Sequence, residues 1–112
     1  YIYQVALASD TKALWDYGWC TTTQKVLEQN FAQMKVEFVM NGKTVPETLV
    51  AVTQNQRQDG GYCRWLTTLI ESWPPGQHQL EMRVTFLQPT DDGWNLYPAG
   101  THIFKYFVNV QD

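Results

Sequence analysis

Apolar and polar residues alternate with a period of two along most of this chain. Residues 78–87, HQLEMRVTFL, put Leu80, Met82, Val84 and Phe86 on one side and Gln79, Glu81, Arg83 and Thr85 on the other. That is the pattern of a strand with one face on a core and one in water. Residues 102–110, HIFKYFVNV, repeat it with Phe104, Tyr106, Val108 and Val110 inward. Residues 1–8, YIYQVALA, set Tyr3, Val5 and Leu7 against Gln4, Ala6 and Ala8. Residues 35–40, KVEFVM, set Val36, Phe38 and Met40 against Lys35 and Glu37, and are followed by Asn41-Gly42. Both of those residues tolerate φ > 0, which predicts a tight hairpin. Two further strands are expected at 48–54, after the turn or edge marked by Pro46, and at 62–70. In the second of these Cys63, Trp65 and Leu69 share a parity, which places Trp65 in the core.

The rhythm breaks at residues 21–34, TTTQKVLEQNFAQM, where Leu27, Phe31 and Met34 fall at helical spacing. Thr21 with Gln24 fits a capping box, and a short helix over about residues 22–32 is expected to cross from one sheet to another. Short strands, frequent turn signals and a single helix predict an all-β fold, an antiparallel β-sandwich formed by one domain over residues 1–112.

One motif occurs twice, as WPPGQHQL from Trp73 and YPAGTHIF from Tyr97. Proline pre-sets φ and the glycine two residues later supplies a φ > 0 position, so each copy aims the strand that follows. The matching residues are Pro74, Gly76, His78 and Leu80, then Pro98, Gly100, His102 and Phe104. This pattern resembles the strand starts of immunoglobulin-like and fibronectin-like domains in bacterial surface proteins. The resemblance implies an immunoglobulin-like sandwich and carries no activity. It also has a departure: antibody-type domains place a core Trp between their cysteines, and no Trp lies between Cys20 and Cys63. A disulfide here is therefore not expected to join two sheets.

The repeated histidines raise the question of a metal. His78 and His102 share the parity of the inward residues, and neighbouring strands in register would bring the rings together, with Asp91 and Asp92 as further ligands. The plainer reading, which we adopt, has each histidine closing a strand end. Asp91, Asp92, Gly93 and Asn95 have oxygen donors suited to calcium but match no complete binding loop, and a solvated turn is preferred. No metal and no cofactor is expected.

Charge narrows the partners. The net charge is −3, and the eight basic residues form no run, which argues against nucleic acid. The chain starts at Tyr1 without a methionine or a basic leader, which reads as processed or trimmed, and no apolar run suits a membrane span. The cysteines are either reduced thiols or a disulfide. A composition of 17% charged residues, rich in Gln, Thr, Asn and Trp, favours the disulfide and an extracellular or cell-surface location. The serines, Ser9 and Ser72, stand in no catalytic motif, and no phosphate loop or metal-protease signature is present. An enzyme is not expected.

The aromatics are the strongest functional signal, with five Trp and six Tyr. Exposed rings stack on sugars or anchor protein interfaces; buried rings plug the ends of a sandwich. Trp15, Tyr17 and Trp19 in LWDYGWC share one face, and Trp94 and Tyr97 fall at loops or strand ends. On the last strand, Ile103 and Phe107 form an outward apolar pair that suits burial against a helix of the same chain or a neighbouring subunit. These residues predict a non-enzymatic structural or adhesive module. It would be one repeat of a larger protein or a self-assembling subunit. The uncharged strand 1–8 would either pair with its own sheet or complete the sheet of a neighbour by strand addition, and in the second case the protein would form filaments. The alternative is a polysaccharide-binding module using the same aromatic platforms.

Overall fold

The alternating segments form strands that enclose one apolar core. The computed structural model describes residues 1–111. In chain order the elements are β1 (Ile2–Ala8), β2 (Ala13–Thr21), α1 (Gln24–Phe31), β3 (Met34–Met40), β4 (Lys43–Thr44), β5 (Ala51–Gln56), β6 (Tyr62–Ile70), β7 (Gly76–Phe86), β8 (Thr90–Asp91), β9 (Leu96–Tyr97) and β10 (Gly100–Gln111), with a 3₁₀ turn at Glu47–Leu49 before β5. A large sheet has the order β1-β10-β7-β3-β4, a smaller one β2-β6-β5, and β8 pairs with β9. The core draws Trp15 and Ile70 from the small sheet and Phe38, Leu80, Met82, Val84, Phe86, Val108 and Val110 from the large one.

The two strongest alternations predict their faces correctly: Leu80, Met82, Val84 and Phe86 of β7 are all buried, as are Val108 and Val110 of β10. Asn41 and Gly42 have φ of 49° and 81° and join β3 to β4 as the hairpin turn expected of them. The helix does cross from the small sheet to the large one, but its cap is Thr23, whose side chain accepts a hydrogen bond from the Val26 amide. Thr21, the expected cap, instead donates its hydroxyl to the Thr23 carbonyl, which places Thr23 for capping.

Three expectations are corrected. The large sheet is mixed, because β1 pairs with β10 in parallel, Ile2 against Lys105 through Ala8 against Gln111. Alternation alone carries no strand direction. The strand expected at 48–54 begins at Ala51, its first residues being taken by the 3₁₀ turn after Pro46. Trp65 is not in the core. It lies 37% exposed on the outer face of the small sheet, while Leu66, Thr68 and Ile70 face inward.

Cys20 and Cys63 sit opposite each other on β2 and β6 and form a disulfide, with Cα atoms 4.0 Å apart. It joins neighbouring strands of one sheet. A disulfide is characteristic of an oxidising compartment. No helix among the described residues is long and apolar enough to cross a membrane.

Candidate functional site

Both copies of the proline-glycine motif start long strands, with φ of 117° at Gly76 and 148° at Gly100. Their strands are neighbours, but antiparallel pairing sets His78 beside Val108 and His102 beside Val84, toward opposite ends of the ladder. The histidines therefore do not meet. His78 bonds Asn41 Nδ2 at 2.9 Å and the Pro74 carbonyl at 2.6 Å, and packs edge-on against Trp73 of its own motif. Trp73 is 4% exposed and closes that end of the core. His102 packs against Phe86 at 5.7 Å. Asp91 and Asp92 accept hydrogen bonds from the amides of Gly93, Trp94 and Asn95, so those carboxylates stabilise their own turn. No cluster suited to a metal ion occurs among the described residues.

The aromatic residues separate into distinct places. Trp15 is buried, edge-on to Phe38 and Tyr106, and offers no platform to a ligand. Trp94 is half exposed in the loop between β8 and β9, with the Arg57 guanidinium 5.8 Å from its ring. Tyr17, Trp19 and Tyr97 come together where the inner face of β2 meets that of β10. With Tyr1, His102 and Phe104 they line a groove of about 180 Å³, floored by Val84 and Phe86. The Trp19 ring lies 5.2 Å from Tyr97 and is fixed by a hydrogen bond from Nε1 to Asn30 Oδ1 at 2.9 Å. Asn30 is buried and in turn donates Nδ2 to the Asp91 carbonyl, tying α1 to the β8 turn. Burial, with a smaller contribution from Tyr97, holds the Tyr17 hydroxyl far above the ordinary phenol value.

The remaining residues of the sequence reading lie on the opposite face of the large sheet. Ile103 is 39% exposed and Phe107 half-buried, in register with Arg83 and Gln79 of β7 and next to β1. β1 itself is the least covered strand of the large sheet that has any length: Ile2, Tyr3 and Val5 are all exposed. It is held by its ladder and by two stacked pairs, Tyr1 on Phe104 and Tyr3 on Tyr106. Tyr1 donates to the Ile103 carbonyl and accepts from the Lys105 amide. By strand alternation Tyr3, Val5 and Leu7 also turn toward β10, and the N–H and C=O groups of Ile2, Gln4 and Ala6 point to the open edge. Among the described residues no strand pairs there.

Sequence reasoning missed Asn30, Tyr1 and Phe104. The helical spacing marks Asn30 only as a position on a half-buried helix, and Phe104 reads simply as core. Only the fold shows that these residues border the place where β2 stops covering β10. Scans against models of protein families and against curated proteins find no match to this chain.

Proposed function

We propose that this domain is a non-enzymatic structural module of an extracellular or cell-surface protein, an immunoglobulin-like sandwich that joins copies of itself through the open edge of β1. The edge itself carries this reading. Sheet edges in monomeric proteins are usually blunted by charges, prolines, bulges or covering loops. The other edge of the large sheet follows that rule: β3 carries Lys35 and Glu37 and is partly covered by β4. β1 has none of these devices; its residues Ile2–Ala8 contain no charge, no proline and no glycine.

Two copies of β1 fit antiparallel about a two-fold axis at Gln4, with Ile2 of one copy opposite Ala6 of the partner subunit. No like charges meet, and the interface is the same patch on both copies, as two-fold assembly requires. Ile103 and Phe107 lie beside this edge and extend the apolar surface onto the joined sheet. Such pairing closes a dimer. A filament needs a second contact, for which the exposed cross-strand pair Leu14–Leu69 on the small sheet is suited. The Cys20–Cys63 disulfide accords with the extracellular setting.

Light scattering across a concentration series tests the assembly, using Gln4→Pro as the probe. The Gln4 N–H points away from β10, so proline at this edge position costs the monomer little and blocks pairing with a second strand. Expected results are an assembly for the wild type and for Gln4→Ala, and a folded monomer for Gln4→Pro. A wild type that stays monomeric at every concentration, or a Gln4→Pro variant that still assembles, rejects the proposal.

A further inference from the structure

The groove between β2 and β10 is built almost wholly of rings. Tyr17 and Trp19 come from β2, Tyr97 from β9, and His102 and Phe104 from β10, with Tyr1 stacked on Phe104 at the rim. Tyr17, Trp19, Tyr97 and Phe104 are half-buried, so each is packed on one side and accessible on the other. None of the lining residues is a lysine or an arginine, and none is a carboxylate. The polar side chains of the lining are the tyrosines and the His102 ring; the Trp19 N–H is already engaged by Asn30, and the Tyr1 amino group by the Ile103 carbonyl.

This chemistry selects a ligand. A pyranose needs several directional hydrogen bonds besides a stacking face, and the groove supplies few. A quaternary ammonium group donates no ordinary hydrogen bond and is attracted by the negative faces of several rings at once. The volume of about 180 Å³ lies below the several hundred Å³ typical of sites for drug-sized molecules, which suits a compact headgroup. The net charge of −3 adds a weak attraction for a cation. We propose that the groove is a binding site for a quaternary ammonium group of the choline type. The site lies on the inner face of the large sheet and does not depend on β1 pairing with a second copy.

The test compares choline with 3,3-dimethylbutan-1-ol, its neutral isostere, by following the Trp19 indole N–H signal during titration. Choline is expected to bind saturably and about tenfold more tightly than the isostere, the margin that desolvated cation–ring contacts supply. His102 is exposed, so His102→Lys should leave the fold intact, checked by its thermal unfolding, while the added cation abolishes choline binding. Phosphatidylcholine vesicles distinguish the source: co-sedimentation identifies a lipid headgroup, and a response to free choline alone identifies a soluble amine. Equal affinity for choline and the isostere would show a merely apolar cleft and overturn the proposal. So would a response to glucose but not to choline, no response to either, or undiminished choline binding by His102→Lys.

Discussion

The indole of Trp65 lies across Gly18, its direct partner on β2, and occupies the space that a Cβ at Gly18 would take. The ring is held there by a hydrogen bond from Nε1 to Asn55 Oδ1 at 2.8 Å. Gly18→Ala must displace the ring and should cost about 1–3 kcal/mol, as overpacking does. In Trp65→Ala the same substitution should cost much less. Urea denaturation of both single variants and the double variant measures the coupling, and simple additivity would show that the pair does not interact.

Asn30 links Trp19 to the Asp91 carbonyl from a buried position on α1. Asn30→Ala leaves a donor and an acceptor without their partners and should destabilise the domain by about 2–4 kcal/mol. The midpoint of urea unfolding should fall with little change in slope. The Trp19 indole N–H should also become faster to exchange, a readout specific to this bond.

The glycines that start β7 and β10 are required for their backbone angles alone. A Cβ at Gly76 or Gly100 would touch nothing within 4 Å, yet their φ angles of 117° and 148° are strained for any side chain. Gly76→Ala and Gly100→Ala should each lower stability by about 1–3 kcal/mol. Calorimetry would show the loss. A neutral result at both positions would mean that the strand starts relax without effort.

Alkaline pH should weaken the fold through Tyr17. Burial raises its pKa in the folded state above the unfolded value of 10.0. Below that unfolded value the hydroxyl is neutral in both states and its contribution to stability is complete. As pH rises past about 10 the unfolded chain ionises first, so stability is lost with increasing pH. Tyr106, also raised chiefly by burial, acts in the same direction. The stability of Tyr17→Phe should therefore fall less steeply between about pH 10 and 12 than that of the wild type. Parallel curves would assign the alkaline loss to other groups.

Acid should act through Glu81, whose pKa is lowered first by its hydrogen bond from Arg83, with Arg83 and Lys105 also adding charge attraction. That contribution is complete above the unfolded carboxylate value of about 4.3 and is lost as pH falls through the lower folded value. Glu81→Gln should be slightly less stable than wild type at neutral pH, by an amount in keeping with a partly exposed ion pair. The two curves should converge in strong acid.

Period-two alternation made the inner faces of β7 and β10 legible, because each strand there has one dry side and one wet side. It misplaced Trp65, because sharing the parity of Cys63, an apolar residue type, suggested a core face. Cys63 lies on the outer face, bonded to Cys20, so its burial says nothing of the core side. The direction of β1 and the separation of His78 from His102 were not readable, since both depend on which strands become neighbours and in which sense. The face shared by Trp15, Tyr17 and Trp19 was readable. How far each ring is covered was not, because that depends on where the other sheet ends.

The parallel pairing of β1 with β10 also determines how the domain bears mechanical load. Tyr1 lies beside Ile103 at one end of the ladder and Ala8 beside Gln111 at the other. Tension between residues 1 and 111 pulls the two strands past each other and loads their hydrogen bonds together in shear, whereas a hairpin would unzip bond by bond. The Cys20–Cys63 bond shields the enclosed segment from that tension. Its sequence separation of 43 would hold back about 150 Å of contour length, at 3.3–3.6 Å per residue, after the ladder ruptures.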